Sequence, residues 1–176
     1  MKRLFLLMAL GLFLCGNTTI CLAQDATTKA SPNYDNIKVT KVISGDTLEL
    51  ENGETVKLIG IVAPKADTEM AKEARDFIKE LEVDANIKVR LEFDVQKRDK
   101  SGRLLAYIYY EVDREKMREV DYTQGLGDKF YFFINATIIA AGYAKPIAEP
   151  PNTKYADLFE KLHQEAKENN RGMWKK

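Results

Sequence analysis

The spacing of apolar residues changes period twice between Ile37 and Val112, and this constrains the fold more than any other feature of the chain. In "IKVTKVIS" (37–44) and "TLELE" (47–51) apolar and polar residues alternate, as they do in a strand with one face buried. Asn52-Gly53 follows, the pair favoured in a two-residue hairpin turn, and "ETVKLIGIV" (54–62) returns as a third strand. From Asp67 the period becomes helical. Met70, Ala71, Ala74, Phe77, Ile78 and Leu81 fall on one face, with Asp67 or Thr68 placed to cap a helix over 67–83. "NIKVRLEFDV" (86–95) and "RLLAYIYYEV" (103–112) restore strand character, and the charged turn "QKRDKSG" (96–102) joins them as a second hairpin.

Residues 113–130 carry charge and glycine without a period and read as a loop. "INATIIAAGYAKP" (134–146) gives a short helix ended by Gly142, with Asn135 at the N-cap position. Asn135-Ala136-Thr137 is also formally a glycosylation sequon, and the cap is the favoured reading. Over 150–174, Tyr155, Leu158, Phe159, Leu162 and Ala166 share one face of an amphipathic helix, and His163 is read as part of its solvated side. The aromatics of "YIYY" (107–110) and "FYFF" (130–133) read as core and strand faces before base-stacking platforms. Three strands, a helix, two strands and further helices make an α+β chain. The expected fold is a five-stranded Greek-key β-barrel of the OB type with about three attached helices.

The N-terminus has a different character. Met1-Lys2-Arg3, the apolar run Leu4–Cys15 and the small-residue stretch ending at Ala23 follow the order of a secretory signal, with cleavage expected after Ala23. The apolar run falls short of the roughly 20 residues that span a bilayer, so a secreted or periplasmic protein without a permanent membrane anchor is expected. A lipid-anchored form would need Cys15 or Cys21, and each follows a large residue, Leu14 or Ile20. Both cysteines lie in this leader, so the mature chain would carry no disulfide. Residues 24–35 read as a flexible lead into one domain over 36–174. Of 27 basic and 27 acidic residues, loss of Lys2 and Arg3 leaves 25 against 27. That balance excludes a globally basic nucleic-acid binder, so any phosphate binding must come from a local cluster.

Several stretches together resemble the staphylococcal nuclease (thermonuclease) family: "VISGDTLEL", "KLIGIVAPK", "EFDVQKRDKSGRLLAYIY" and "PPNTKYADLFEKLHQEAKENNRGMW". The resemblance runs from about Lys38 to Trp174 and implies an SNase-like barrel. In that family two aspartates and a backbone carbonyl bind calcium, a glutamate activates water, and two arginines hold the phosphate. Asp46, in Gly45-Asp46-Thr47, matches one metal ligand, and Arg103, in Gly102-Arg103-Leu104, matches one phosphate contact. The other positions differ. The family pattern R-L-x-G-I-D-x-P-E aligns on 57–65, putting Lys57 at the first arginine, Val62 at the second metal aspartate and Lys65 at the glutamate. Ser44 stands where an acidic residue commonly precedes the GDT segment.

These changes bear directly on the chemistry. Calcium takes six to eight oxygens and gains affinity from carboxylate charge. A lysine within ~6 Å of the ion would repel it by about 5 kcal/mol at an effective dielectric of ~20. Loss of a general base is worth roughly 10²–10⁴ in rate, and lysine in place of arginine loses the bidentate fork. The expectation is therefore a catalytically impaired family member, with no cofactor where the family uses calcium. Lys57, Lys65 and Arg103 would form a cationic pocket able to bind nucleic acid or a phosphate-bearing ligand, and the protein would be a monomer. Two alternatives stay open. One is an active calcium-dependent phosphodiesterase in which Asp67 or Glu69 rearranges into the site, although helix-start acids favoured by the macrodipole are the simpler reading. The other is a protein-interaction module whose contacts lie in the 113–133 loop.

Overall fold

β1 (Ile37–Ser44) buries Ile37, Val39 and Val42, and its alternation slips by one residue because its register on β2 (Thr47–Leu50) shifts between Val39 and Lys41. A bulge at that point turns Val42, and not Lys41, into the core. The structure is a computed structural model describing residues 33–81, 87–112, 122–126 and 129–176. The proposed leader (1–23) and most of the 24–35 stretch lie outside the described residues. The described ones belong to one compact unit, Pro32–Lys176. Among them no helix is long and apolar enough to cross a membrane.

β2 turns into β3 (Thr55–Leu58) through a four-residue connection, Glu51 to Glu54, and not the two-residue turn that Asn52-Gly53 suggests. The Leu50 amide donates to the Glu54 carbonyl at 2.9 Å, and Gly53 takes φ +81. The expected third strand is broken. After β3 the chain turns at Ile59-Gly60 before β4 (Ile61–Val62), and Gly60 has φ +77. A Cβ there would lie 2.5 Å from the Phe159 ring, so only glycine allows the terminal helix to pack this closely. α1 (Glu69–Glu80) starts at Thr68, whose hydroxyl accepts from the Ala71 amide at 3.1 Å, and buries Ala74, Phe77 and Ile78.

β5 (Lys88–Glu92) and β6 (Leu104–Val112) pair antiparallel, as the second hairpin requires. Hydrogen-bonded neighbours run β3-β2-β1-β5-β6, and β3 then pairs parallel with the start of β6, Lys57 beside Leu105. This closes a five-stranded mixed barrel, the OB architecture, and leaves no edge among these five strands. The 113–130 segment is not wholly a loop. β7 (Thr123–Leu126) and β8 (Lys129–Phe133) form a hairpin on the second half of β6, where Tyr110 opposes Phe132; residues 113–121 and 127–128 lie outside the described ones.

α2 (Ile134–Ala140) is buried along its whole length and packs against α3 (Ala156–Glu168). Its N-cap is Phe133 and not Asn135. Asn135 is fully buried, which also removes it from glycosylation as a surface sequon. Its Oδ1 accepts from the Ile108 amide at 3.0 Å and its Nδ2 donates to the Ile59 carbonyl at 2.9 Å. The side chain thus satisfies a backbone group of β6 and one of the turn that follows β3. Tyr107, Tyr109, Phe132, Phe133 and Phe159 are almost completely buried, with Tyr109 stacked on Phe133 at 4.5 Å, so these aromatics build core. The chain ends in a 3₁₀ turn, Gly172–Trp174. β4 pairs with β9 (Lys145–Pro146), bringing Val62 opposite Lys145.

Candidate functional site

Gly45 sets the geometry at Asp46. A Cβ on Gly45 would meet the Ala74 Cβ at 2.9 Å and the Ala63 Cβ at 3.1 Å, so the tight β1–β2 turn lies directly against both α1 and the segment after β4. Asp46 is held in that junction. Its Oδ1 accepts from the Ser44 hydroxyl at 2.8 Å and the Thr47 hydroxyl at 3.0 Å, and its Oδ2 accepts from the Ala63 amide at 3.3 Å. Both carboxylate oxygens are therefore engaged by neutral protein donors, and Ser44 supplies one of them. Asp46 lines a cleft of about 550 Å³ with Ala63, Asp67, Glu69 and Arg75. Among the described residues no group of three or more histidine, cysteine or acidic side chains comes together as a metal-holding set.

Lys57 lies on β3 between Thr47 of β2 and Leu105 of β6, and it opens into a second cleft of about 610 Å³ together with Lys100 and Arg103. Asp99 and Glu149 supply the opposing charge in that cleft. Asp99 is an organiser. Its Oδ2 accepts from Arg103 Nε at 2.7 Å, and its Oδ1 accepts from the Arg103 and Ser101 amides at 3.0 and 2.9 Å. Partial burial acts to raise the Asp99 pKa, but the Arg103 guanidinium and these amides outweigh it and hold the group below its ordinary value. Asp99 thus stays ionised and fixes Arg103 by one nitrogen, leaving the terminal guanidinium nitrogens without a protein acceptor among the described residues.

Lys65 goes elsewhere. It is exposed, its carbonyl accepts from the Thr68 hydroxyl at 2.8 Å, and it lines a third cleft with Val62 and Lys145. Of the three expected cations, Lys57 and Arg103 share a cleft, whereas Lys65 lines one with neither of them. Val62, which the resemblance aligns with the family's second metal ligand, is 39% exposed. Two residues escape a reading of the sequence. Lys100 lies in the charged turn, where a solvated tip is the ordinary meaning, and Lys145 is placed beside Val62 only by the β4–β9 register.

His163 is not on the solvated face. It is 8% exposed, its ring lies 5.3 Å from the single tryptophan, Trp174, and neither ring nitrogen has a hydrogen-bond partner. Burial, with Lys167 and Lys145 nearby, lowers its pKa against the opposing pull of Glu160. No catalytic partner surrounds it among the described residues, and its role is packing.

A closed five-stranded mixed barrel carrying three helices, with the GDT turn and the Arg103 hairpin at neighbouring clefts, defines an SNase-type OB-fold domain. Residues 55–176 match the family described as "Staphylococcal nuclease homologue", and the chain belongs to that family. It is 32% identical over 147 residues to "Thermonuclease" of Staphylococcus intermedius, covering 78% of this chain and 75% of the relative. It is 29% identical to "Thermonuclease" of Staphylococcus hyicus, covering 82% and 79%. It is 31% identical to "Endonuclease YncB" of Bacillus subtilis (strain 168), covering 87% and 69%.

Proposed function

We propose that the protein is an exported, catalytically impaired member of the nuclease family that binds the phosphodiester backbone of nucleic acid in the Lys57–Lys100–Arg103 cleft without cleaving it. The observation that carries this reading is the setting of Asp46, the one carboxylate kept among the family's ligand and base positions, whose two oxygens already accept from Ser44, Thr47 and Ala63. The Val62 side chain offers no ligand atom and Lys65 is exposed in another cleft, so neither family position supplies a carboxylate beside Asp46, and this donor set does not fit calcium, an ion that gathers charged oxygens. No carboxylate base occupies the family position. Phosphate binding needs less: three cations, one of them an arginine pre-oriented by Asp99. The relatives' names, thermonuclease and endonuclease, agree with a nucleic-acid ligand.

Fluorescence titration with a labelled single-stranded oligonucleotide across salt tests the binding. Three contacting cations give a slope of log affinity against log salt of about −2. The Lys57→Ala/Arg103→Ala variant should bind at least about tenfold more weakly, with a shallower slope. Glu149→Gln, which removes one acid from the same cleft, should bind more tightly than the wild type. Absence of salt-sensitive binding overturns the proposal. One observation favours the alternative of a rearranged active phosphodiesterase: Asp67 and Glu69 line the same cleft as Asp46. Calcium-dependent cleavage distinguishes that reading.

A further inference from the structure

The two substitutions that remove the family's carboxylates also line a cleft of their own. Val62, Ala63 and Pro64, with Met70 from the first turn of α1 and Met173 from the C-terminal turn, give it apolar walls, and Lys65 and Lys145 stand among them. Its volume is about 460 Å³, within the range of small-molecule sites. Three features fix what it suits. The walls are apolar, and Val62 is one of three large apolar side chains, with Ile43 and Val95, that stand well exposed among the described residues. The two methionines make those walls adaptable to the shape of an apolar guest. Neither lysine is ion-paired among the described residues, and no carboxylate among them lines the cleft.

The walls are also held in place. Val62 and Lys145 are register partners across β4 and β9, and the Met173 amide donates to the Gly142 carbonyl at 3.0 Å. The Thr68 hydroxyl ties down the Lys65 backbone. A well-solvated phosphodiester gains nothing from apolar walls, whereas a molecule with an apolar body and one anionic head satisfies both walls and lysines.

We propose that this cleft binds a small anionic amphiphile, its apolar body lying against Val62, Pro64, Met70 and Met173 and its head group held between Lys65 and Lys145. The head is a carboxylate or a phosphate. This site is independent of phosphodiester binding at Lys57 and Arg103.

Trp174 is a built-in reporter, because the Lys145 ammonium lies 5.6 Å from its ring centre. The purified protein is titrated with dodecanoate, dodecyl phosphate and dodecyltrimethylammonium, each below its micelle concentration, while tryptophan emission is followed. Calorimetry serves for variants that alter Trp174's surroundings. Saturable binding of either anion, and none of the cation, is expected; the tighter of the two anions names the head group. Lys65→Gln and Lys145→Gln should each weaken binding about tenfold, the worth of one charged hydrogen bond. Val62→Asp should abolish it by setting a carboxylate in the wall. Equal response to the cation, no saturable response to either anion, or anion binding indifferent to Lys65→Gln overturns the proposal.

Discussion

Asn135 shows how much one side chain can carry. It bonds to partners 27 and 76 positions away in sequence, Ile108 and Ile59, and it is completely buried. Asn135→Ala would strand a buried amide and a buried carbonyl, each costing about 1–3 kcal/mol, so the variant should lose roughly 2–6 kcal/mol in urea unfolding. A surface cap residue would cost about 1 kcal/mol, and a loss that small would contradict the bridging role of the side chain. The same scale decides the fate of calcium. Restoring both carboxylates in a Val62→Asp/Lys65→Glu variant should create a calcium-dependent rise in melting temperature that the wild type lacks, because binding to the native state alone stabilises it. An equal rise in the wild type would show that Asp46 and its neighbours already hold the ion. Sequence placed Asp46, Val62, Lys65 and Arg103 at family positions, yet it could not show that Ser44 and Ala63 satisfy Asp46. Those bonds depend on the close approach at Gly45.

At the level of elements, local pattern located β1, β2, α1, β5, β6 and α3: β1, β5 and the two helices through one buried face, and β6, buried on both faces from Ala106 to Tyr109, through its run of β-branched and aromatic residues. β7 and β8 escaped it. "TQGLGDKFYFF" mixes glycine, charge and aromatics without alternation, and its strand character comes from pairing with Tyr110 to Val112 on β6. His163 was legible in principle. It lies four residues after Phe159 and one after Leu162, within the buried arc of α3. Its polarity hid the packing role against Trp174. Burial favours the neutral imidazole, so the folded pKa lies below the ordinary 6.5, with Lys145 and Lys167 adding to the effect and Glu160 opposing it. The unfolded chain then binds more protons as pH falls past about 6.5, and stability is lost as pH drops through the folded value. Urea midpoints at pH 7 and pH 5 should therefore converge for His163→Phe relative to the wild type. Parallel shifts in the two proteins would assign the acid sensitivity to other groups.

On the scale of the molecule, the barrel brings the GDT turn, the segment after β4 and the Arg103 hairpin near one another, as the family's chemistry requires. The side chains then divide that region into three clefts: a hydrogen-bonded Asp46, a cationic cleft at Lys57 and Arg103, and an apolar cleft flanked by Lys65 and Lys145. Fold and family could be read from sequence because they rest on repeated local patterns and long matching segments. The division could not, because it depends on which walls Lys65, Lys100 and Lys145 face, and that is set by strand register and turn geometry. The central claim, binding without hydrolysis, is tested most directly by incubating the purified protein with labelled single-stranded DNA and RNA in calcium and in EDTA. Intact substrate is predicted in both, indistinguishable from the Lys57→Ala/Arg103→Ala variant. Calcium-dependent cleavage by the wild type that the variant loses would contradict it.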